Sequence, residues 1–137
     1  MKIYFAAPVR AGREERKTYH EMVEILSRFG TVLTKHLGRL DLSDEGEIGL
    51  SSREIYERDM NWLREADVVV AEITVPSLGV GYEISKGEEQ GKPVLCLKRK
   101  NERKLSTMLE GNARITLAEY ENTKEIEEAI GRFLAGR

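Results

Sequence analysis

Apolar residues along this chain fall into two alternating patterns. Short unbroken runs, Ile3-Tyr4-Phe5-Ala6-Ala7, Val68-Val69-Val70-Ala71 and Val94-Leu95-Cys96-Leu97, have the length and make-up of buried strands. Between them, apolar residues recur three and four positions apart, the spacing of one helical face: Tyr19, Met22, Val23, Leu26 and Phe29 in one segment, and Ile126, Ala129, Ile130, Phe133 and Leu134 in another. The pattern predicts a strand over 2–7, a loop over 8–12, a helix from Arg13 stopped by Gly30, and a strand over 31–34. Further on it predicts a strand over 67–73, a glycine-rich helix ending near Gly91, a strand over 93–97, a short helix over 106–110, a strand over 115–117 and a last helix. Strands alternating with helices throughout indicate an α/β fold in a single domain over 1–137, a doubly wound, mostly parallel sheet of about five strands.

Residues 37–50 carry no clear period and contain glycine, so they read as a long loop, functional or mobile. Ser51-Ser52-Arg53-Glu54 then forms a capping box, in which the Ser51 hydroxyl accepts from the amide of Glu54 while the Glu54 carboxylate reaches back. The helix it opens should run to about Ala66, with Ile55, Trp62, Leu63 and Ala66 on its apolar face.

At 137 residues the chain is long enough for a sizeable core. A net charge of −2 gives no general attraction to nucleic acid. No apolar run is long enough to span a bilayer, and Met1-Lys2 leads straight into the first strand, so neither a membrane partner nor a signal peptide is expected. One cysteine, Cys96, leaves no internal disulfide; inside an apolar run it reads as a buried structural thiol. These features point to a reducing, cytoplasmic setting. The basic cluster Lys98-Arg99-Lys100 with Arg103-Lys104 reads as a solvated loop, or as help in drawing in one phosphate.

The most informative stretch is Asp67-Val-Val-Val-Ala-Glu-Ile-Thr-Val-Pro-Ser-Leu-Gly-Val-Gly-Tyr-Glu83. Ligands of α/β sheets bind outside the carboxyl ends of the strands, beside helix N-termini. Here that place holds the Ser77 hydroxyl, Gly79 and Gly81, which permit close backbone approach, and the Glu83 carboxylate. Gly79 and Gly87 flank Glu83 four residues either side. Each glycine in a helix costs about 1 kcal/mol relative to alanine, which suggests close packing against the backbone. Helix-on-sheet packing would account for Gly79 or Gly81, but not for a carboxylate among them. Asp59 is a second anomaly, a carboxylate on the apolar face of its helix that must be paired, protonated or at the edge of a pocket. Arg10, with Gly12 and Arg13, follows the first strand, where a guanidinium could grip a phosphate; His36 follows the second strand in the same relative place. Glycine-rich nucleotide loops, a serine-hydrolase elbow and zinc-ligand spacings are absent.

The segments Tyr4–Glu14, Thr31–His36, Asp59 with Trp62–Glu72, and Pro76-Ser-Leu-Gly-Val-Gly-Tyr-Glu83 together resemble the 2'-deoxynucleoside 5'-phosphate N-hydrolases of the nucleoside 2-deoxyribosyltransferase superfamily, in matching order and nearly matching spacing from Tyr4 to about Met108. The resemblance implies a flavodoxin- or Rossmann-like three-layer sandwich, a homodimer with shared active sites, and cleavage of deoxynucleoside monophosphates to free base and deoxyribose 5-phosphate without metal or organic cofactor. By resemblance Glu83 is the nucleophile, Asp59 the second catalytic acid, and Tyr4 the tyrosine that positions the nucleophile and the sugar. Arg10 and Ser77 resemble phosphate ligands, Ser106 a serine reaching the phosphate in the neighbouring subunit's site, and His36 a base-side contact. The chain departs from the family at Ala7-Pro8, where Gly-Ser is usual and the serine would donate to the phosphate. Proline at this place is frequent in the base-exchanging transferases. Base exchange, ribonucleotide (CMP-type) hydrolysis and a non-catalytic nucleotide-binding module stay open as alternatives.

Overall fold

The structure is a computed structural model that describes residues 1–9, 15–42 and 45–137. Its sheet comprises β1 (Lys2–Ala6), β2 (Thr31–Val32), β3 (Val68–Glu72), β4 (Val94–Arg99) and β5 (Thr116–Tyr120), all parallel in the order β2-β1-β3-β4-β5. The helices are α1 (Arg16–Ser27), α2 (Ser52–Glu65), α3 (Leu78–Glu89), the four-residue α4 (Thr107–Glu110) and α5 (Thr123–Leu134); a 3-10 turn spans Lys35–Gly38. The α/β expectation holds.

Side chains of a strand alternate between faces, and this sheet uses both. Ile3, Phe5, Val68, Val70, Leu95 and Leu97 pack with the apolar stripes of α1 and α5. Tyr4, Ala6, Val69, Ala71, Val94 and Cys96 pack with α2 and α3. All five β3 residues are buried, which explains why Val68–Ala71 is a continuous apolar run rather than an alternating one. Strand order reverses between β1 and β3, and a crevice opens at the carboxyl ends of the strands at such a point. Tyr4 therefore faces the α2–α3 layer beside that crevice.

Several expectations are corrected. Gly30 does not terminate α1, which ends at Ser27 with Arg28 still in right-handed helical geometry. Glycine is required at position 30 because an added Cβ would lie 2.4 Å from the carbonyl oxygen of Met1. The second strand is shorter than expected: after Leu33 donates to Ile3, the Thr34 side chain takes over, bonding both the amide (2.9 Å) and the carbonyl (2.6 Å) of Phe5. The basic cluster is a solvated loop only in part, at Lys100, Arg103 and Lys104, which are exposed. Lys98 and Arg99 belong to β4; Lys98 is buried, with Nζ donating to Asn101 Oδ1 (2.9 Å), and Arg99 bonds Glu15 (2.8 Å) and Thr18 (2.7 Å). Cys96 is buried as expected, and burial pushes its thiol up to about 12, which leaves it unreactive. Among the described residues, no helix is long and apolar enough to cross a membrane.

Candidate active site

Two helices bring the acids of the site together. The capping box at Ser51 forms as expected, with Glu54 N–H donating to the serine hydroxyl (3.1 Å) and Ser51 N–H to the Glu54 carboxylate (3.0 Å). It fixes the start of α2, whose Leu63, Met60 and Ala66 are buried against the sheet. Asp59 is carried at the margin of that buried stripe. Ser77 caps α3, accepting from Val80 N–H at 3.3 Å, and Glu83 lies in the second turn.

The connection from β3 to α3 is fastened from below. Glu72 is fully buried and accepts from the amide (2.6 Å) and hydroxyl (2.9 Å) of Thr74 and from the hydroxyl of Tyr120. The Thr74 hydroxyl accepts from Arg99 N–H (2.8 Å), and its carbonyl accepts from Arg103 (3.2 Å). Three strands and a basic loop thus hold the turn that presents Ser77 and the amino end of α3.

Tyr4, Asp59, Glu83, His36 and Gly79 line one cavity of about 330 Å³. The Tyr4 hydroxyl donates to Glu83 Oε2. Burial pushes the Glu83 carboxyl up to about 7; the Tyr4 bond opposes this, and the charge of Asp59 adds to it. Burial also raises Asp59, against the pull of Arg58, while Tyr4 is driven far above its usual range by burial and by Glu83. Asp59 thus meets two of its expected descriptions: it is paired, with Arg58, and it borders a pocket. His36, in the 3-10 turn after β2, sits 3.4 Å from Glu47, and burial lowers its imidazole. Neutral imidazole on this wall can donate or accept a hydrogen bond.

Ser77 and Ser106 line a second cavity of about 490 Å³, on the other side of the first turn of α3, together with Gly81, Lys98, Arg103 and Lys104. Ser106 caps α4, accepting from Met108 N–H at 3.2 Å. The sequence-level candidates therefore divide between two adjacent cavities, acids in one and hydroxyls in the other. Arg10, Gly12 and Arg13 lie outside the described residues.

The glycines are explained differently than expected. A Cβ at Gly87 would meet Val69 Cγ2 at 2.8 Å, so close packing of helix on sheet belongs there. At Gly79 the nearest atom would be 3.8 Å away, and at Gly81 nothing lies within 4 Å. Packing does not require those two glycines.

Sequence reasoning missed Arg58 and Glu47. Arg58 was one of many charged residues on α2, and Glu47 lay in a stretch without periodicity. Among the described residues no cluster of three or more His, Cys, Asp or Glu side chains could hold a metal ion.

The nucleoside 2-deoxyribosyltransferase family model matches residues 3–126. A 5-hydroxymethyl-dUMP N-hydrolase of Tetraodon nigroviridis is 50% identical over 113 residues, covering 81% of this chain and 80% of that protein. The Homo sapiens protein of the same name is 44% identical over 136 residues, covering 96% and 78%. Among solved structures, a 2-deoxyribosyltransferase from Bacillus psychrosaccharolyticus superposes with a TM-score of 0.68 at 22% identity, covering 93% of this chain and 90% of that one, a likeness of fold. The match over nearly the whole chain, together with these relatives, shows that the protein belongs to the nucleoside 2-deoxyribosyltransferase family.

Proposed function

We propose that this protein is an N-glycosidase that hydrolyses 2'-deoxynucleoside 5'-monophosphates to free base and 2-deoxyribose 5-phosphate through a covalent glycosyl ester on Glu83. The observation that carries this reading is the convergence of Tyr4, Asp59 and Glu83 on one cavity, with the Glu83 carboxyl held near neutrality. The relatives named 5-hydroxymethyl-dUMP N-hydrolase support the substrate class.

Cleavage of a glycosidic bond develops positive charge on the sugar, which a carboxylate beside C1' can trap. Ionised Glu83 attacks C1' as the bond to the base breaks, giving a deoxyribosyl ester. Asp59 donates a proton to the departing base and, once ionised, takes one from the water that cleaves the ester and regenerates Glu83. Tyr4 holds the nucleophile by its hydrogen bond. Absence of a 2'-hydroxyl eases formation of the cation and favours deoxyribose. Ser77 and the amino end of α3 supply donors to the 5'-phosphate, with Arg10 as the expected cationic partner. Anchoring that group positions C1' from a distance.

The same reading makes the protein a homodimer in which Ser106 serves the neighbouring subunit's phosphate. Leu78 and Met108, 97% and 80% exposed beside Ser77 and Ser106, supply apolar surface for such a contact. A sedimentation experiment reporting a dimer supports this; a monomer at working concentrations overturns it.

Base exchange is the second reading, favoured by Pro8, which cannot donate to a phosphate. Chromatography of free base after incubation with deoxynucleoside monophosphates and with unphosphorylated nucleosides, with and without an acceptor base, separates the two. Base released from monophosphates without acceptor supports hydrolysis. Exchange on unphosphorylated nucleosides makes the protein a transferase. Silence with both, but turnover of CMP, makes it a ribonucleotide N-glycosidase, and binding without turnover makes it a nucleotide-binding module.

A further inference from the structure

Glu47 and Asp59 line the acidic cavity, and Arg58, which does not line it, bonds both of them. Successive residues on a helix project about 100° apart, so Arg58 reaches its neighbour Asp59 by folding its long side chain across the face of α2. Its Nε and Nη2 donate to the same oxygen, Asp59 Oδ1, at 3.0 and 2.8 Å. From the other edge of the guanidinium, Nη1 donates to Glu47 Oε1 at 2.6 Å and Nη2 to Oε2 at 2.8 Å. The plane lies 4.7 Å from the Trp62 ring centroid, a cation–π contact, and Nη2 is 3.5 Å from His36 Nε2. Side-chain exposures of 25% for Arg58, 15% for Glu47 and 22% for Asp59 set this cluster apart from a solvated surface pair.

Glu47 belongs to the irregular connection between the 3-10 turn and α2, and Arg58 ties it to the helix bearing Asp59. We propose that Arg58 is a positioning residue: its grip on Oδ1 of Asp59 reserves Oδ2 for the substrate, and its fork on Glu47 fastens residues 45–50, whose Gly46 and Glu47 form part of the cavity wall. The first half of this rests on the reading of Asp59 and Glu83 as the reacting acids; the second half does not.

The groups facing Asp59 are Arg58 on its own helix, Glu47 from the connection, His36 from the turn, Tyr4 from β1 and Glu83 from α3. Without the Arg58 cation, the remaining fixed charges are carboxylates. The proton on Asp59 is then held to higher pH, because the Arg58 guanidinium no longer favours its ionised form.

The test uses the full chain and two independent readouts. In Arg58→Ala, hydrogen exchange of amides 45–50 should accelerate at least tenfold, with exchange in β1 and β3 unchanged. In base release from a deoxynucleoside monophosphate, Arg58→Ala should lose at least tenfold in kcat/KM and shift its pH profile toward alkaline pH. Added guanidinium should restore part of the loss. Arg58→Lys keeps the charge but not the fork, and should hold the pH profile while losing part of kcat/KM. Glu47→Gln should reproduce the exchange effect, and adding it to Arg58→Ala should do little more. If wild type releases no base, the hydrolase reading fails while the exchange result still decides the latch. If wild type is active and Arg58→Ala leaves rate, pH profile and exchange unchanged, the proposal is overturned. Should Arg58→Ala fail to fold, Arg58→Lys and Glu47→Gln carry the same readouts.

Discussion

The hydroxyl of Tyr4 on β1 donates its hydrogen bond to Oε2 of Glu83 on α3, joining residues 79 positions apart across the switch point of the sheet. The bond favours the ionised carboxylate and so works against the burial that pushes Glu83 up to about 7.

Tyr4→Phe removes that donor. A hydrogen bond to a charged group contributes about 1.5–3 kcal/mol, so kcat should fall by roughly ten- to a hundredfold. The proton on Glu83 is held more tightly without the bond, so the acidic limb of the pH–rate profile moves to higher pH. An unshifted limb in rates measured from pH 5 to 9 would count against Glu83 as the titrating nucleophile.

Asp59→Asn should move the same limb the other way. In the molecules whose Asp59 is already ionised its charge raises Glu83, and the amide carries none, so Glu83 ionises at lower pH. Turnover should nevertheless drop by roughly a hundred- to ten-thousandfold, the usual contribution of a positioned acid–base group. Opposite limb shifts in the two variants, both slow, are the signature sought in parallel pH–rate profiles.

Glu83→Gln bears on stability as well as on turnover. The folded-state value near 7 lies above the ordinary 4.5, so the fold prefers the protonated form. That preference is fully present below pH 4.5 and is lost as pH rises through 7. Above pH 7 wild type therefore carries a penalty of roughly 3 kcal/mol that glutamine avoids. Thermal melts should coincide for the two proteins at pH 4 and separate at pH 8, with the inactive variant melting higher.

Ser77→Gly distinguishes substrate binding from helix capping. Glycine at an N-cap costs only a few tenths of a kcal/mol relative to serine, so the melting temperature should barely change. Loss of the hydroxyl should raise KM for the monophosphate several-fold with little change in kcat. An unchanged KM in steady-state rates would remove Ser77 from the phosphate site.

Two glycine-to-alanine variants test the packing account. Gly87→Ala places a methyl 2.8 Å from Val69 Cγ2, and overpacking of this kind costs about 1–3 kcal/mol, outweighing the gain of about 1 kcal/mol in helix propensity. At Gly131 in α5 nothing lies within 4 Å, so the same change should stabilise by about 0.5–1 kcal/mol. Denaturant unfolding should give opposite signs.

Local physics wrote much of this protein into its sequence. The unbroken run Val68–Ala71 could only be a strand covered on both faces, the three-and-four spacing of Ile126 to Leu134 could only bury one side of a helix, and Ser51 with Glu54 fixed where α2 begins. Glu83 and Asp59 were visible because a carboxylate among glycines or on an apolar face breaks a local pattern. Tertiary structure decided what local pattern does not encode. Arg99 looked like surface charge because periodicity says nothing about partners supplied by Glu15 and Thr18 from a distant segment, and Lys98 because it does not show that a side chain three residues on, Asn101, meets its ammonium. Glycine's reason differed from site to site, since the clash that requires Gly30 comes from Met1 and the one that requires Gly87 from Val69. Arg58 and Glu47 carried no signal at all, because an ion pair between a helix and an aperiodic connection exists only once the chain has folded back on itself and placed the two charges within reach.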